Sequence, residues 1–244
     1  MTRFGQNFLV DTNVANREID YAEINKDDIV LEIGPGKGIL TRLLAQHAKK
    51  IIAVEIDSKL ADKLSNDIPD NVTIINDDIL KVDFNNLGFF NKVVSNLPFQ
   101  ISSPFTFKLL DYPFSKAVLI YQKDFADRMI AVPNTKDYSR LSVGIYVKTY
   151  CRILENVSRD CFYPVPKVDS CIVELIPRKI PPFQISDEAF FFRLVKDLFV
   201  HRRKKIKGIL RGKYNLTDLP YLDNRVEELT PEQIGELCNI LNRL

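Results

Sequence analysis

"VLEIGPGKGIL", residues 30–40, decides the fold. The apolar run Ile29 to Ile33 reads as a buried strand, and the pattern from Ile39 to His47 reads as a helix. Gly34, Gly36 and Gly38 stand between them, where the backbone must turn sharply and a ligand can approach without a Cβ in the way. A dinucleotide fingerprint would need glycine at 39, which is Ile39, and a phosphate loop would need Ser or Thr after Lys37, which is followed by Gly38. The remaining pattern is E-x-G-x-G-x-G. A tight strand–helix turn explains one or two of these glycines, but not three in alternation together with Glu32.

The same alternation continues along the chain. Further apolar runs lie at Ile51 to Glu55, Val72 to Ile75, Lys92 to Ser95 and Ala117 to Tyr121. Helical patterns separate them at Lys59 to Asn66, Pro104 to Leu110 and Lys123 to Ala131. Continuous apolar strands alternating with helices predict an α/β fold with a mostly parallel sheet covered on both faces. Val143 to Tyr150 and Ser170 to Ile176 are also strand-like and are expected to add as an antiparallel edge pair. The proline-rich joint "IPRKIPPF" near 176–183 separates a first domain, 1–180, from a smaller all-helical domain, 181–244. That second domain is expected to hold helices at Asp187 to Leu210 and Thr230 to Leu241. The second opens on Thr230 as N-cap, Pro231 at the first position and Gln233 two positions on.

The 244 residues carry a net charge of only +2, so a polyanion partner must be sought in the distribution of charge rather than its total. Cys151, Cys161, Cys171 and Cys238 form no C-x-x-C pair, which argues against a zinc framework and for reduced thiols in a cytoplasmic protein. No apolar run reaches membrane-spanning length, and no signal-peptide pattern opens the chain.

The loop resembles the cofactor loop of class I S-adenosylmethionine-dependent methyltransferases. Two more strand ends fit a nucleoside site. "AVEID" places Glu55 where an α/β fold carries an acid for ribose hydroxyls. "NDDIL" places Asp78 where it can accept from an adenine amino group, with Asp77 beside it as a solvated loop acid.

"VVSNLPFQISS", residues 93–103, ends the next strand in an amide, a proline and an aromatic ring. Asn96 and Pro98 would terminate a strand for local reasons alone. With a methyl donor in the crevice they gain a second reading. Asn96-Leu97-Pro98-Phe99 resembles the [DNS]-[PIL]-P-[YF] motif of adenine-N6 methyltransferases. The exocyclic amine of adenine is a poor nucleophile because its lone pair is delocalised into the ring. The Asn96 side-chain oxygen and the Leu97 carbonyl can hold its N–H groups, Pro98 fixes that backbone, and Phe99 offers a ring for stacking. Neither a metal nor a nucleophilic residue is required for such a transfer.

"RFGQNFLVD" (3–11), "EIGPGKGILT" (32–41), "NLPFQISSP" (96–104), "YQKDFADRM" (121–129), "DYSRLSV" (137–143), "FYPVPKVDS" (162–170) and "FVHRRKKIKGIL" (199–210) together resemble the universal small-subunit rRNA adenine dimethyltransferases over almost the whole chain. The resemblance implies a Rossmann-like class I sheet, S-adenosyl-L-methionine as cofactor, and dimethylation of two adjacent adenines at N6 near the 3′ end of small-subunit rRNA in an immature subunit. It implies that Gln6, Asn7 and Leu9 help close over the cofactor, and that Gly34, Gly36, Gly38, Glu55, Asp78 and Asn96 line its site. It offers Phe162 as a second aromatic wall for the flipped adenine, with a core aromatic and Tyr163 as the competing readings. Phe99 stands where the family more often has Tyr, and the extension before the first motif is short. The alternatives are a large-subunit rRNA methyltransferase giving macrolide resistance and a non-catalytic assembly or transcription factor on the same fold.

"HRRKKIKGILRGK", 201–213, holds seven Lys or Arg and no acid. On a helix it would form a basic stripe for RNA phosphates through Arg202, Arg203, Lys204, Lys205 and Lys207; the plainer reading is a solvated helix face. A monomer without an obligate protein partner is expected.

Overall fold

The computed structural model describes residues 6–243; residues 3–5 of the first motif, with the short extension before it, lie outside the described residues. In chain order the elements are β1 (Phe8–Leu9), α1 (Thr12–Ala22), β2 (Ile29–Ile33), α2 (Ile39–His47), β3 (Lys50–Glu55), α3 (Ser58–Ser65), β4 (Val72–Asn76), β5 (Lys92–Asn96), α4 (Ser102–Leu110), β6 (Lys116–Gln122), α5 (Lys123–Met129), α6 (Arg140–Lys148), β7 (Thr149–Val157), β8 (Phe162–Tyr163), β9 (Ser170–Pro177), α7 (Glu188–Val200), α8 (Ile206–Leu210) and α9 (Pro231–Leu241).

Seven strands form one sheet in the order β4-β3-β2-β5-β6-β9-β7. The first five run parallel, and β9 joins β6 antiparallel with Ala117 opposite Leu175 and Gln122 opposite Ser170. This is the mostly parallel sheet that the apolar runs predicted and the Rossmann-like form that the resemblance implied; of the two runs expected at the antiparallel edge, Ser170 to Ile176 takes its place there. The chain leaves β2 toward β3 on one side and later returns to β5 on the other. The switch point therefore lies between β2 and β5, where open α/β sheets bind ligands at the carboxyl ends of the strands. Their ladder ends early, at Leu31 opposite Val93. Beyond it the Ser95 hydroxyl donates to the Ile33 carbonyl at 2.6 Å. The core beneath contains Val30, Leu44, Ile51, Val94, Val118 and Ile172.

The chain divides into two compact units, residues 1–126 with 151–177, and residues 127–150 with 178–244. The second thus includes a stretch that the expected boundary at 180 assigned to the first. Its core joins Tyr138, Val143 and Val147 to Phe191, Leu198, Ile234 and Leu237. Val143 to Tyr150 is not a strand: it is mostly α6, and the edge strand begins at Thr149. Leu141, Val143, Gly144, Ile145 and Val147 are all buried, so the helix has no polar face whose period would reveal it. Ser139 and Ser142 close a capping box at its start.

Nor do residues 187–210 form one helix. α7 ends at Val200, a turn follows over 201–203, and Lys205 bridges Arg225 in extended backbone, with the Val226 N–H donating to the Lys204 carbonyl, before α8. Four consecutive cations at 202–205 would repel across a helix turn, and partners for this backbone exist at 224–227. The start of α9 follows the sequence expectation: Thr230 accepts from the Gln233 N–H while Gln233 accepts from the Thr230 N–H.

Candidate active site

A cavity of about 360 Å³ opens at the carboxyl ends of β2, β3 and β5. Its wall begins in the glycine loop. Gly36 sits at φ +56, and a Cβ there would lie 2.8 Å from the Phe8 ring, so both the turn and the close approach require glycine. Gly34 lines the cavity beside the Pro98 ring. Gly38 does not: it is the N-cap of α2, at φ +79.

Glu55 ends β3 with its carboxylate fixed at both oxygens. Oε2 accepts from the Gly36 N–H and Oε1 from the Asp57 N–H, each at 3.0 Å. One strand-end acid thereby anchors the glycine loop and still presents lone pairs to the cavity. Burial pushes its carboxyl up, and those two N–H groups partly oppose the shift. Glu32, also on the wall, is pushed up to about 8 by burial and by the charge of Glu55, and its Oε2 is buried with no partner. Behind it Glu18 of α1 is fully buried with neither oxygen paired, and burial and Glu32 raise its carboxyl well above the usual range.

The loop after β4 supplies Asp77 and Asp78. Asp78 Oδ1 accepts from the Leu80 N–H at 3.0 Å, which fixes the carboxylate in its own turn. Lys108 of α4 donates to the carbonyls of Ile79, Leu80 and Val82, holding the same loop from below.

Asn96 ends β5. Its Nδ2 donates to the Asn7 carbonyl at 3.2 Å, and its Oδ1 is buried without a partner. Asn7 in turn donates from Nδ2 to the Pro164 carbonyl at 2.6 Å. Pro98 follows at φ −57 and ψ 124, and Phe99, half-buried, opens a short 3-10 turn to Ile101. Gln6, Asn7, Leu9, Gly34, Gly36, Glu55, Asp78, Asn96 and Pro98 therefore meet on one wall, whereas Leu97 and Phe99 do not line it. The Leu97 side chain is buried.

A sequence profile described as ribosomal RNA adenine dimethylase matches residues 1–244. The chain belongs to that dimethylase family. It is 42% identical over 252 residues to a probable ribosomal RNA small subunit methyltransferase A of Methanosarcina acetivorans, covering 98% of this chain and 92% of the relative. The corresponding protein of Thermococcus onnurineus is 42% identical over 250 residues, with 96% and 89% covered. Among solved structures, a dimethyladenosine transferase from Plasmodium falciparum aligns with a TM-score of 0.82 at 29% identity, over 97% of this chain and 98% of that one. The 23S rRNA methyltransferase ErmE aligns with a TM-score of 0.71 at 30% identity, over 97% and 100%.

The dimethylase cavity fits S-adenosylmethionine on its own evidence. Glu32 brings a carboxyl to the wall that a nearby cationic group would help to ionise, the anchored Glu55 suits a ribose, and no side chain at 36 obstructs the loop. Ile56, 44% exposed, and Ile79 and Ile101 add apolar walls that the sequence reading passed over. An apolar residue directly after a strand-end acid was the available signal for Ile56.

Two expectations for RNA are corrected. Phe162 is 1% exposed and packs in the core beside Leu9, which is the core-aromatic reading rather than an open wall for a base. Tyr163, 64% exposed, takes the outward position because neighbouring strand residues point to opposite faces. The basic run is not a helical stripe. Arg202 pairs with Glu227 at 3.1 Å and donates to the Lys136 and Tyr138 carbonyls, while Lys205 and Lys207 share Asp223 at 3.1 and 2.7 Å. Arg203, Lys204, Arg211 and Lys213 are exposed, with no ion-pair partner among the described residues. Among those residues no helix is long and apolar enough to cross a membrane.

Proposed function

We propose that this dimethylase modifies two adjacent adenines at N6 near the 3′ end of small-subunit rRNA, acting as a cytoplasmic monomer on an immature subunit. The names of the relatives at 42% identity support the choice of subunit. The observation that carries the chemistry is Asn96, a residue of the cavity wall: one end of its amide is anchored on Asn7, which leaves Oδ1 a buried acceptor without a partner. An unpaired buried acceptor is costly, so a ligand N–H is its natural partner.

S-adenosylmethionine supplies an electrophilic methyl group when held by Gln6, Asn7, Leu9, Gly34, Gly36, Glu55 and Asp78. The protein's part is to orient the nucleophile. Asn96 Oδ1 and the Leu97 carbonyl accept from the amine and favour a geometry in which its lone pair is free. Pro98 holds that carbonyl in place. Phe99 and Tyr163 offer ring faces to the base, and Arg203, Lys204, Arg211 and Lys213 hold RNA by its phosphates. Such cations do not read sequence, so target choice rests on RNA shape and ribosomal context. After one transfer a single N–H remains on N6, so a monomethylated adenine is a competent intermediate.

The test is mass mapping of methylated adenines after the protein is incubated with cofactor and each ribosomal subunit. Paired dimethyladenines in immature small subunits are expected. Methylation confined to protein-free large-subunit RNA would overturn the choice of target, and cofactor binding without any transfer would favour a non-catalytic factor.

A further inference from the structure

Among the described residues on the cavity wall there is one cation, Lys37, against Glu32, Glu55, Asp77 and Asp78. Lys37 is exposed, and its ammonium has no carboxylate partner among the described residues. Its neighbours are two aromatic rings, Phe8 at 5.3 Å and Tyr163 at 5.8 Å from ammonium to centroid. Those rings are cross-strand partners of the β1–β8 ribbon, so they share the face turned from the core. The ribbon is tied to the reacting side: Asn7, next to Phe8, bonds Asn96 through its carbonyl and Pro164 through its amide. Ring faces attract an ammonium without neutralising it as a carboxylate would, so a lysine held this way can still donate to an anion.

We infer that Lys37, held between Phe8 and Tyr163, binds the phosphodiester of the nucleotide whose adenine reaches Asn96. The inference rests on the dimethylase reading above. A flipped nucleotide brings its backbone phosphate to the rim of the pocket that takes its base. The cofactor's carboxylate offers similar anionic oxygens. The position of Lys37 favours the RNA: Lys37 and Phe8 line the cavity while Tyr163, largely exposed, does not, so the exposed ammonium stands at the outer edge of that wall, where an RNA backbone can reach it. Phosphate contacts of this kind set register without reading bases, which suits an enzyme that must place two neighbouring adenines in turn.

The experiment compares wild type, Lys37→Met and Lys37→Arg. It measures binding and single-turnover methylation of immature small subunits over a range of potassium concentrations, and S-adenosylhomocysteine binding by calorimetry. Lys37→Met is expected to raise the half-saturating subunit concentration roughly three- to ten-fold and to make the salt slope of binding shallower by about 0.7–1, the share of one phosphate. S-adenosylhomocysteine affinity should stay at the wild-type value, and Lys37→Arg should restore both RNA measurements. Weaker S-adenosylhomocysteine binding with an unchanged salt slope would assign Lys37 to the cofactor carboxylate and overturn the inference. An active wild type with Lys37→Met unchanged throughout would overturn it while leaving the dimethylase reading intact. A wild type that methylates neither subunit would remove that reading and the inference with it.

Discussion

Asn96 meets Asn7 through a single hydrogen bond, Nδ2 to the backbone carbonyl at 3.2 Å, and this bond decides which way the Asn96 amide faces. With Nδ2 committed, Oδ1 is the acceptor left buried and without a partner, on a residue that lines the cavity. Asn96→Ala should therefore lower the single-turnover methylation rate by roughly 10²-fold or more, the scale of losing one preorganised polar contact in a reacting site. S-adenosylhomocysteine affinity should change far less. Phe99→Tyr should be near neutral because the ring face is kept, and Phe99→Ala should lose about 1–3 kcal/mol of base capture. An Asn96→Ala enzyme as fast as wild type would return the tetrapeptide to a simple strand terminator.

Glu55 both holds the glycine loop and faces the cofactor. Glu55→Ala should weaken S-adenosylhomocysteine binding by about 1.5–3 kcal/mol, the worth of hydrogen bonds to a charged group. Calorimetry on the folded variant checks this. Glu55→Gln should also bind less tightly, since its amide nitrogen cannot accept from either the Gly36 or the Asp57 N–H.

Glu32 keeps its proton up to about pH 8 in the folded chain. In the unfolded chain it releases it in the usual carboxylate range. Between those limits the folded state binds more protons, so its stability falls as pH rises through the window and levels off above it. Glu18 acts in the same direction. Without cofactor, the thermal midpoint should be several degrees lower at about pH 8.5 than at about pH 6. Glu32→Gln and Glu18→Gln should each flatten that dependence, and an equal slope in both variants would place the effect elsewhere.

Arg202 and its neighbours should separate in a paired test. Arg202→Ala removes the contact with Glu227 and with two carbonyls, so it should lower the unfolding midpoint. Lys204→Glu combined with Arg211→Glu should leave that midpoint in place and make the salt slope of subunit binding shallower. An unchanged slope would mark these cations as a solvated face.

The parallel sheet was legible because its strands are buried on both faces and read as unbroken apolar runs. The strand-end positions of Glu55, Asp78 and Asn96 followed from those runs, since each site residue sits where a run stops. The failures share a cause: the deciding partner is distant in sequence. Val143 to Val147 looks like a strand until the helices that surround it are known. Arg202 looks like a free cation until Glu227 is placed beside it. Phe162 and Tyr163 are adjacent aromatics in a two-residue strand, too short for alternation to show which one faces inward. The surroundings of Lys37 are not legible in sequence because its neighbours, Phe8 and Tyr163, come from opposite ends of the first unit.

The ribbon of Phe8–Leu9 against Phe162–Tyr163 has a consequence for how the protein can change length. Its two faces do different jobs, Leu9 and Phe162 filling the core while Phe8 and Tyr163 stand at the cavity mouth. With Asn7 held on Asn96, a single residue inserted between Asn7 and Phe8 would exchange those faces, turning Leu9 out and Phe8 in. Two-residue changes would preserve the alternation. The segment is thus constrained by parity, and natural length variation in it should come in even steps.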